Sequence, residues 1–181
     1  KKDALLKELH ETEEEINKSN RIKSILYSTG DELVSVIVDI ICDMFKVDKN
    51  FMDIKKEDFR FKFNNIYFLL EIKGIKTNVK DGNIAQCKKF VTNLVAENDD
   101  IPHNNIKGLL VINHQRNVKP NERESIHNSQ IVYATREGIL IISTLELLKL
   151  YESYVRGKIT TDHCFNAFKN NIGEFKFENT V

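Results

Sequence analysis

At 181 residues the chain has the size of one ordinary domain and can bury a core without disulfides or structural metal. Its 27 Lys and Arg balance 27 Asp and Glu, which excludes a strongly basic nucleic-acid arm or an acidic solvating tail over the whole length. Hydrophobic residues make up 41% and charged residues 30%, with two Pro and seven Gly, so disorder and collagen-like repetition are excluded as well.

Residues 1–27 are rich in Lys, Glu and Leu, with a thin apolar stripe at Leu5, Leu9, Ile16 and Ile22. This predicts a solvated helix in which Thr12, Ser19 and Lys23 interrupt the heptad seam through Leu9, Ile16 and Leu26. The chain starts at Lys1 rather than Met, and this helix reads as a connection (1–28) from other domains of a longer protein to a domain over 29–181. Leu33 to Phe45 repeats apolar residues at helical spacing, and Thr29 three residues before Glu32 has the pattern of a capping box. Cys42 lies in this segment; with Cys87 and Cys164 it forms no Cys-x-x-Cys pair, so neither a disulfide framework nor a zinc knuckle is expected. The apolar runs Val36 to Ile41 and Ile66 to Leu70 are too short to cross a bilayer and no signal peptide is visible, which predicts a soluble cytoplasmic setting without membrane contact.

From Phe51 the period changes to two. Phe59, Phe61 and Phe63 alternate with Asp58, Arg60 and Lys62, Asn64-Asn65 supplies a turn, and Ile66 to Lys73 forms a second strand. A helix is predicted from about 83 to 97, a buried strand over 108–113, a polar connection over 114–129, short strands at 131–133 and 139–142, and a helix over 144–155. A meander followed by strands alternating with helices predicts an α/β fold with a mixed central sheet flanked by helices.

With a two-residue turn at Asn64-Asn65, cross-strand partners have numbers summing to 129, which sets Asp58 opposite Glu71. Lys73 shares their face, as does Tyr67, which suits stacking on a base or simply covering the sheet. Phe59, Phe61, Phe63, Ile66, Phe68, Leu70 and Ile72 take the other face. Two carboxylates at cross-strand distance repel unless a cation separates them. Either a hard divalent cation such as Mg²⁺ lies there, or Asp58, Lys73 and Glu71 form an ion-pair network without metal.

Asp58, then Glu71-Ile72-Lys73-Gly74 at the end of an apolar strand, then Gln86-x-x-x-Phe90 on the next helix, resembles the PD-(D/E)XK restriction-endonuclease-like superfamily, and within it the Gln-x-x-x-Tyr branch. The resemblance spans roughly 29–151 and extends to the strand over 108–113 followed by Arg123 and to Ile139-Leu-Ile-Ile-Ser-Thr144. It implies a Mg²⁺-dependent (or Mn²⁺-dependent) nuclease of the kind attached to larger bacterial defence or restriction-type proteins, acting on DNA or, failing that, RNA, in many cases as a homodimer. It assigns Asp58, Glu71 and the Ile72 carbonyl to the metal, Lys73 to the attacking water and the phosphorane charge, and Gln86 to orienting the cluster or touching a phosphate. Glu57 stands where the family prefers Pro, and Phe90 where it prefers Tyr. Val34 stands where many members carry an acid on the first helix; Glu32 is nearby and reads as a cap. The competing expectation is a catalytically inactive module of the same fold that binds nucleic acid or a partner domain.

The five histidines lack paired-ligand spacing, with His114 at a strand end the one to watch, and Cys164 beside His163 is not triad geometry. Arg116, Lys119 and Arg123 make a basic loop suited to a phosphate backbone or to plain solvation. The zero net charge is a sum of unlike parts: residues 1–50 carry 8 basic and 11 acidic side chains, residues 55–89 carry 9 and 4, and residues 107–123 carry 4 and 1.

Overall fold

A computed structural model of the chain describes residues 2–49 and 57–178; the part of the period-two alternation expected from Phe51 to residue 56 lies outside them. Helix α1 (Lys2–Lys23) is followed by a 3-10 turn at Ser24–Leu26 and by α2 (Gly30–Phe45). The hairpin is β1 (Phe59–Phe63) and β2 (Ile66–Gly74). Then come α3 (Asp81–Glu97), β3 (Ile106–Asn113), α4 (Asn128–Glu137), β4 (Leu140–Ser143), α5 (Thr144–Val155), α6 (Thr161–Asn170) and β5 (Gly173–Glu174). The sheet order is β1-β2-β3-β4-β5, antiparallel between β1 and β2 and parallel thereafter.

The hairpin has the expected register: Phe59 pairs with Leu70, Phe61 with Phe68, and Phe63 with Ile66. Asn64 and Asn65 both take left-handed backbone angles, φ 46° and 62°, the conformation whose twist matches two flanking strands. Alternation then divides β2 between two cores. Phe68, Leu70 and Ile72 join Phe59, Phe61, Phe45 and Phe168 in a core roofed by α2, α5 and α6. Leu69 joins Val79, Ile84, Cys87, Val91 and Leu110 beneath α3 and α4. At Gly108 the approach of α3 and of Ile139 is so close that a Cβ there would lie 2.5 Å from Ile139 Cδ1 and 3.0 Å from Val91 Cγ2.

Two expectations are corrected. The strand predicted at 131–133 is the middle of α4, whose Ala134 is buried and whose end is set by Gly138 at φ 71°. Ile131, Val132 and Tyr133 favour strands locally, but packing against the sheet selects helical spacing. Thr29 precedes α2 as expected, yet its hydroxyl caps nothing and instead donates to the Gly74 carbonyl at 3.0 Å, so the capping box does not form and Glu32 is exposed. Helix α6 and strand β5 were not anticipated. Thr160 caps α6 by accepting the His163 N–H at 3.3 Å, and Cys164, Phe165 and Phe168 bury its inner face.

Helix α1 buries none of its residues. Its C-terminal part is held to α2 by Asp39, which pairs with both Arg21 and Lys49, while Arg21 also donates to Ser35 Oγ at 3.2 Å. Burial works against the Asp39 carboxylate, but hydrogen bonds and charge from Lys49 and Arg21 outweigh it and hold the group below its ordinary value of 3.8. A depressed carboxyl stabilises at pH above its unfolded value and loses that contribution as pH falls through the folded one. Asp39→Asn is therefore expected to cost about 0.5–1 kcal/mol at neutral pH, since both cations are half-exposed. It should also speed proteolysis within α1. Wild type should acquire the same sensitivity only below about pH 4; equal cleavage of wild type and variant at pH 7 would contradict this anchor.

Candidate active site

Glu71 and Lys73 project from β2 on the α3 side, in the part of the strand that extends past the first residue of β1. Glu71 is 1% exposed and its Oε1 lies 2.5 Å from Lys73 Nζ, whose side chain is 33% exposed. The Glu71 carboxyl is pushed up from its ordinary value, first by burial and further by the negative charge of Asp58, with the Lys73 ammonium working against both. Burial works against the Lys73 ammonium, but the hydrogen bond and charge of Glu71, with the charge of Asp58, outweigh it and hold Lys73 above the ordinary lysine value. Lys73 is thus a fixed cation, ill suited to act as a base.

Asp58 immediately precedes β1, where the ladder is offset by one residue: its N–H donates to the Leu70 carbonyl at 3.1 Å. Its side chain is carried along the strand rather than straight across, and Oδ2 accepts the Ile72 N–H at 2.6 Å. The expected pairing of Asp58 with Glu71 is therefore realised as a neighbourhood, with Asp58 tied to the peptide between Glu71 and Lys73. The N–H and C=O of a strand residue point to the same side, so the Ile72 carbonyl faces the same edge. Two carboxylates and one carbonyl are the hard-oxygen donors that suit Mg²⁺. Among the described residues no group of three or more His, Cys, Asp and Glu side chains gathers as a metal-ligand set.

Gln86 is exposed on α3 and makes no side-chain hydrogen bond to a described residue, while Phe90, four residues on, is buried at 8%. The helix enters the site more firmly through Cys87, which is fully buried beside the Glu71 backbone; burial, with the Glu71 charge, pushes its thiol far up. Cys164 is equally buried and its thiol is pushed up to about 12 by desolvation, which disposes of nucleophilic chemistry there. Tyr67 packs partly against the α3-side core, with Lys62 Nζ 5.0 Å from its ring centre.

Three arrangements escaped the sequence reading. Glu57, beside Asp58, has a side chain only 2% exposed and takes both Nε and Nη2 of Arg60 on one oxygen. Asn113, fully buried at the end of β3, donates to the Ser28 carbonyl at 2.8 Å and accepts from Arg123 Nη1 at 2.9 Å and Thr144 Oγ1 at 3.3 Å. Arg123 further donates from Nε to the Val118 carbonyl at 3.1 Å and from Nη2 to the Leu26 carbonyl. The guanidinium expected in a basic surface loop is thus tied by hydrogen bonds to the body of the domain, while Lys119 of that loop is exposed. His114 is buried as well: it holds the Glu124 carbonyl at 3.0 Å, and desolvation lowers its basicity.

No described helix is long and apolar enough to cross a membrane. No protein-family model and no curated protein sequence matches the chain. Among solved structures, the restriction endonuclease FokI bound to DNA superimposes with a TM-score of 0.59, at 16% identity over 88% of this chain and 30% of that one. A second structure of restriction endonuclease FokI gives 0.59 at 17% identity, over 86% of this chain and 30% of that one. The chain therefore spans about a third of FokI's length, and the likeness is one of fold: a five-stranded mixed sheet flanked by helices, of the restriction-endonuclease kind.

Proposed function

We infer that the chain is a metal-dependent nuclease domain of the Gln-x-x-x-Tyr branch that hydrolyses phosphodiester bonds, with DNA as its substrate, and that α1 connects it to the rest of a larger protein. The observation that carries this reading is the gathering of Asp58, Glu71 and Lys73 at one end of β2, with Asp58 bonded to the Ile72 amide. Asp58, Glu71 and the Ile72 carbonyl would hold Mg²⁺ or Mn²⁺. When bound, such an ion lowers the pKa of water and draws negative charge off the phosphate.

The chain's own residues supply the remainder. Lys73 stays protonated and sits where charge grows on the phosphorane oxygens, the position in which a fixed cation speeds reaction most. Burial of Glu71 excludes water from one side of the site and strengthens these charges. Gln86, exposed on α3, is free to meet a backbone phosphate. Residues 55–89, with 9 basic and 4 acidic side chains, attract the polyanion to this face despite the zero net charge.

Incubation with supercoiled plasmid and Mg²⁺ tests the reading. Nicked and linear products that disappear with EDTA are expected, along with DNA binding that weakens as salt rises. DNA binding without cleavage under Mg²⁺ or Mn²⁺ would replace this reading with that of an inactive binding module.

A further inference from the structure

We propose that Glu57 is a positioning residue: its buried pairing with Arg60 sets the offset at the start of β1 that aims the Asp58 carboxylate at the Ile72 amide. The inference rests on the reading of Asp58 as part of the nuclease site, but its structural half stands independently.

An unbroken ladder would put the residue-57 carbonyl, not a side chain, against the Ile72 N–H. The offset, with Asp58 N–H on the Leu70 carbonyl, moves the residue-57 carbonyl out of register with that amide, and Asp58 Oδ2 takes it at 2.6 Å. An extra residue in one strand kinks it and re-aims the side chains on either side. A kink needs something to fix it, and the chain places a carboxylate, 2% exposed, on the residue immediately before the offset. A carboxylate so buried is costly unless paired and hydrogen-bonded. Arg60 supplies two donors to it from three residues on, within β1, closing a short loop around Asp58. The Arg60 guanidinium also balances the Glu57 charge, so that Asp58 and Glu71, with Lys73 beside them, remain the charges presented to a cation.

The test uses the whole chain, with amide hydrogen exchange by NMR beside plasmid cleavage. In Glu57→Ala, the Ile72 amide is expected to exchange at least about tenfold faster, while the amides of Leu109 to Ile112 keep wild-type protection. Turnover should fall by about 10- to 100-fold with the KM for DNA unchanged, the signature of a misplaced ligand rather than lost binding. Glu57→Gln, whose amide oxygen still accepts from Arg60, should retain most of the Ile72 protection and of the rate. If Glu57→Ala fails to fold, Arg60→Lys, which keeps the charge but loses the fork, is read in the same way. Unchanged Ile72 exchange, or a loss of protection shared by the whole sheet, overturns the proposal even if the wild type cuts DNA. Selective loss at Ile72 in a chain that cuts nothing upholds the positioning role and sinks the nuclease reading instead.

Discussion

Replacing Lys73 with alanine is expected to reduce phosphodiester cleavage by about 10²- to 10³-fold, the scale of removing one preorganised charge stabiliser, with DNA affinity changed by less than about threefold. Two effects combine. On the nuclease reading the phosphorane would lose its fixed cation, and Glu71, 1% exposed, loses the ammonium 2.5 Å away that offsets burial and the Asp58 charge. Both forces left on Glu71 favour its protonated form, so the acid limb of the pH–rate profile should move to higher pH in the variant. Lys73→Arg should recover part of the rate, because charge survives while the shape of the donor changes. Single-turnover cleavage across a pH series measures all three quantities. A Lys73→Ala rate within threefold of wild type would remove Lys73 from the chemistry.

Arg123→Ala is expected to cost about 1–3 kcal/mol of stability, the range for leaving acceptors without their donor. The acceptors are Asn113 Oδ1 and the Val118 carbonyl, at the end of β3 and in the loop after it, and the Leu26 carbonyl, far away in sequence. Arg123→Lys should recover little, since one ammonium does not reproduce a fork spread over three directions. Urea denaturation reads the loss, and the salt dependence of DNA binding distinguishes the alternative role. A stability change below about 1 kcal/mol, with a salt slope lowered by about one, would make Arg123 the phosphate contact that its loop suggests.

That residue also marks where legibility in the sequence ends. Hairpin register was readable because alternate phenylalanines and a two-residue Asn-Asn turn are local signals, and both held to the residue. Helix α5 was readable with its limits, since Ser143 caps it and apolar spacing continues to Val155. Fold class followed from the order of such elements. By contrast, Arg123 bonds across 97 residues to Leu26, and Thr29 across 45 to Gly74. Nothing local distinguishes a hydroxyl that caps a helix from one that reaches a neighbouring strand. Residues 131–133 misled for the opposite reason, because a local strand preference was overruled by packing.

At the site, periodicity was enough to bring Glu71 and Lys73 to one face with Asp58 close by. It could not foresee that Asp58 turns onto the Ile72 amide, because that depends on an offset of one residue in the ladder. Glu57 was legible only as a departure from Pro, because its partner is revealed by burial and by the reach of Arg60.

The division of β2 between two cores has a consequence for how the chain avoids folding incorrectly. A slip of the hairpin by one residue would exchange the faces of every side chain on the slipped strand. On β2 it would drive Glu71 and Lys73 in among Phe45, Phe61 and Phe168 and turn Phe68 and Leu70 toward α3. Inserting two charges into a phenylalanine cluster costs several kcal/mol, more than a shifted ladder of main-chain bonds recovers. The acid and the ammonium thus weigh against every slip by an odd number of residues, because each such register would bury them in the aromatic core.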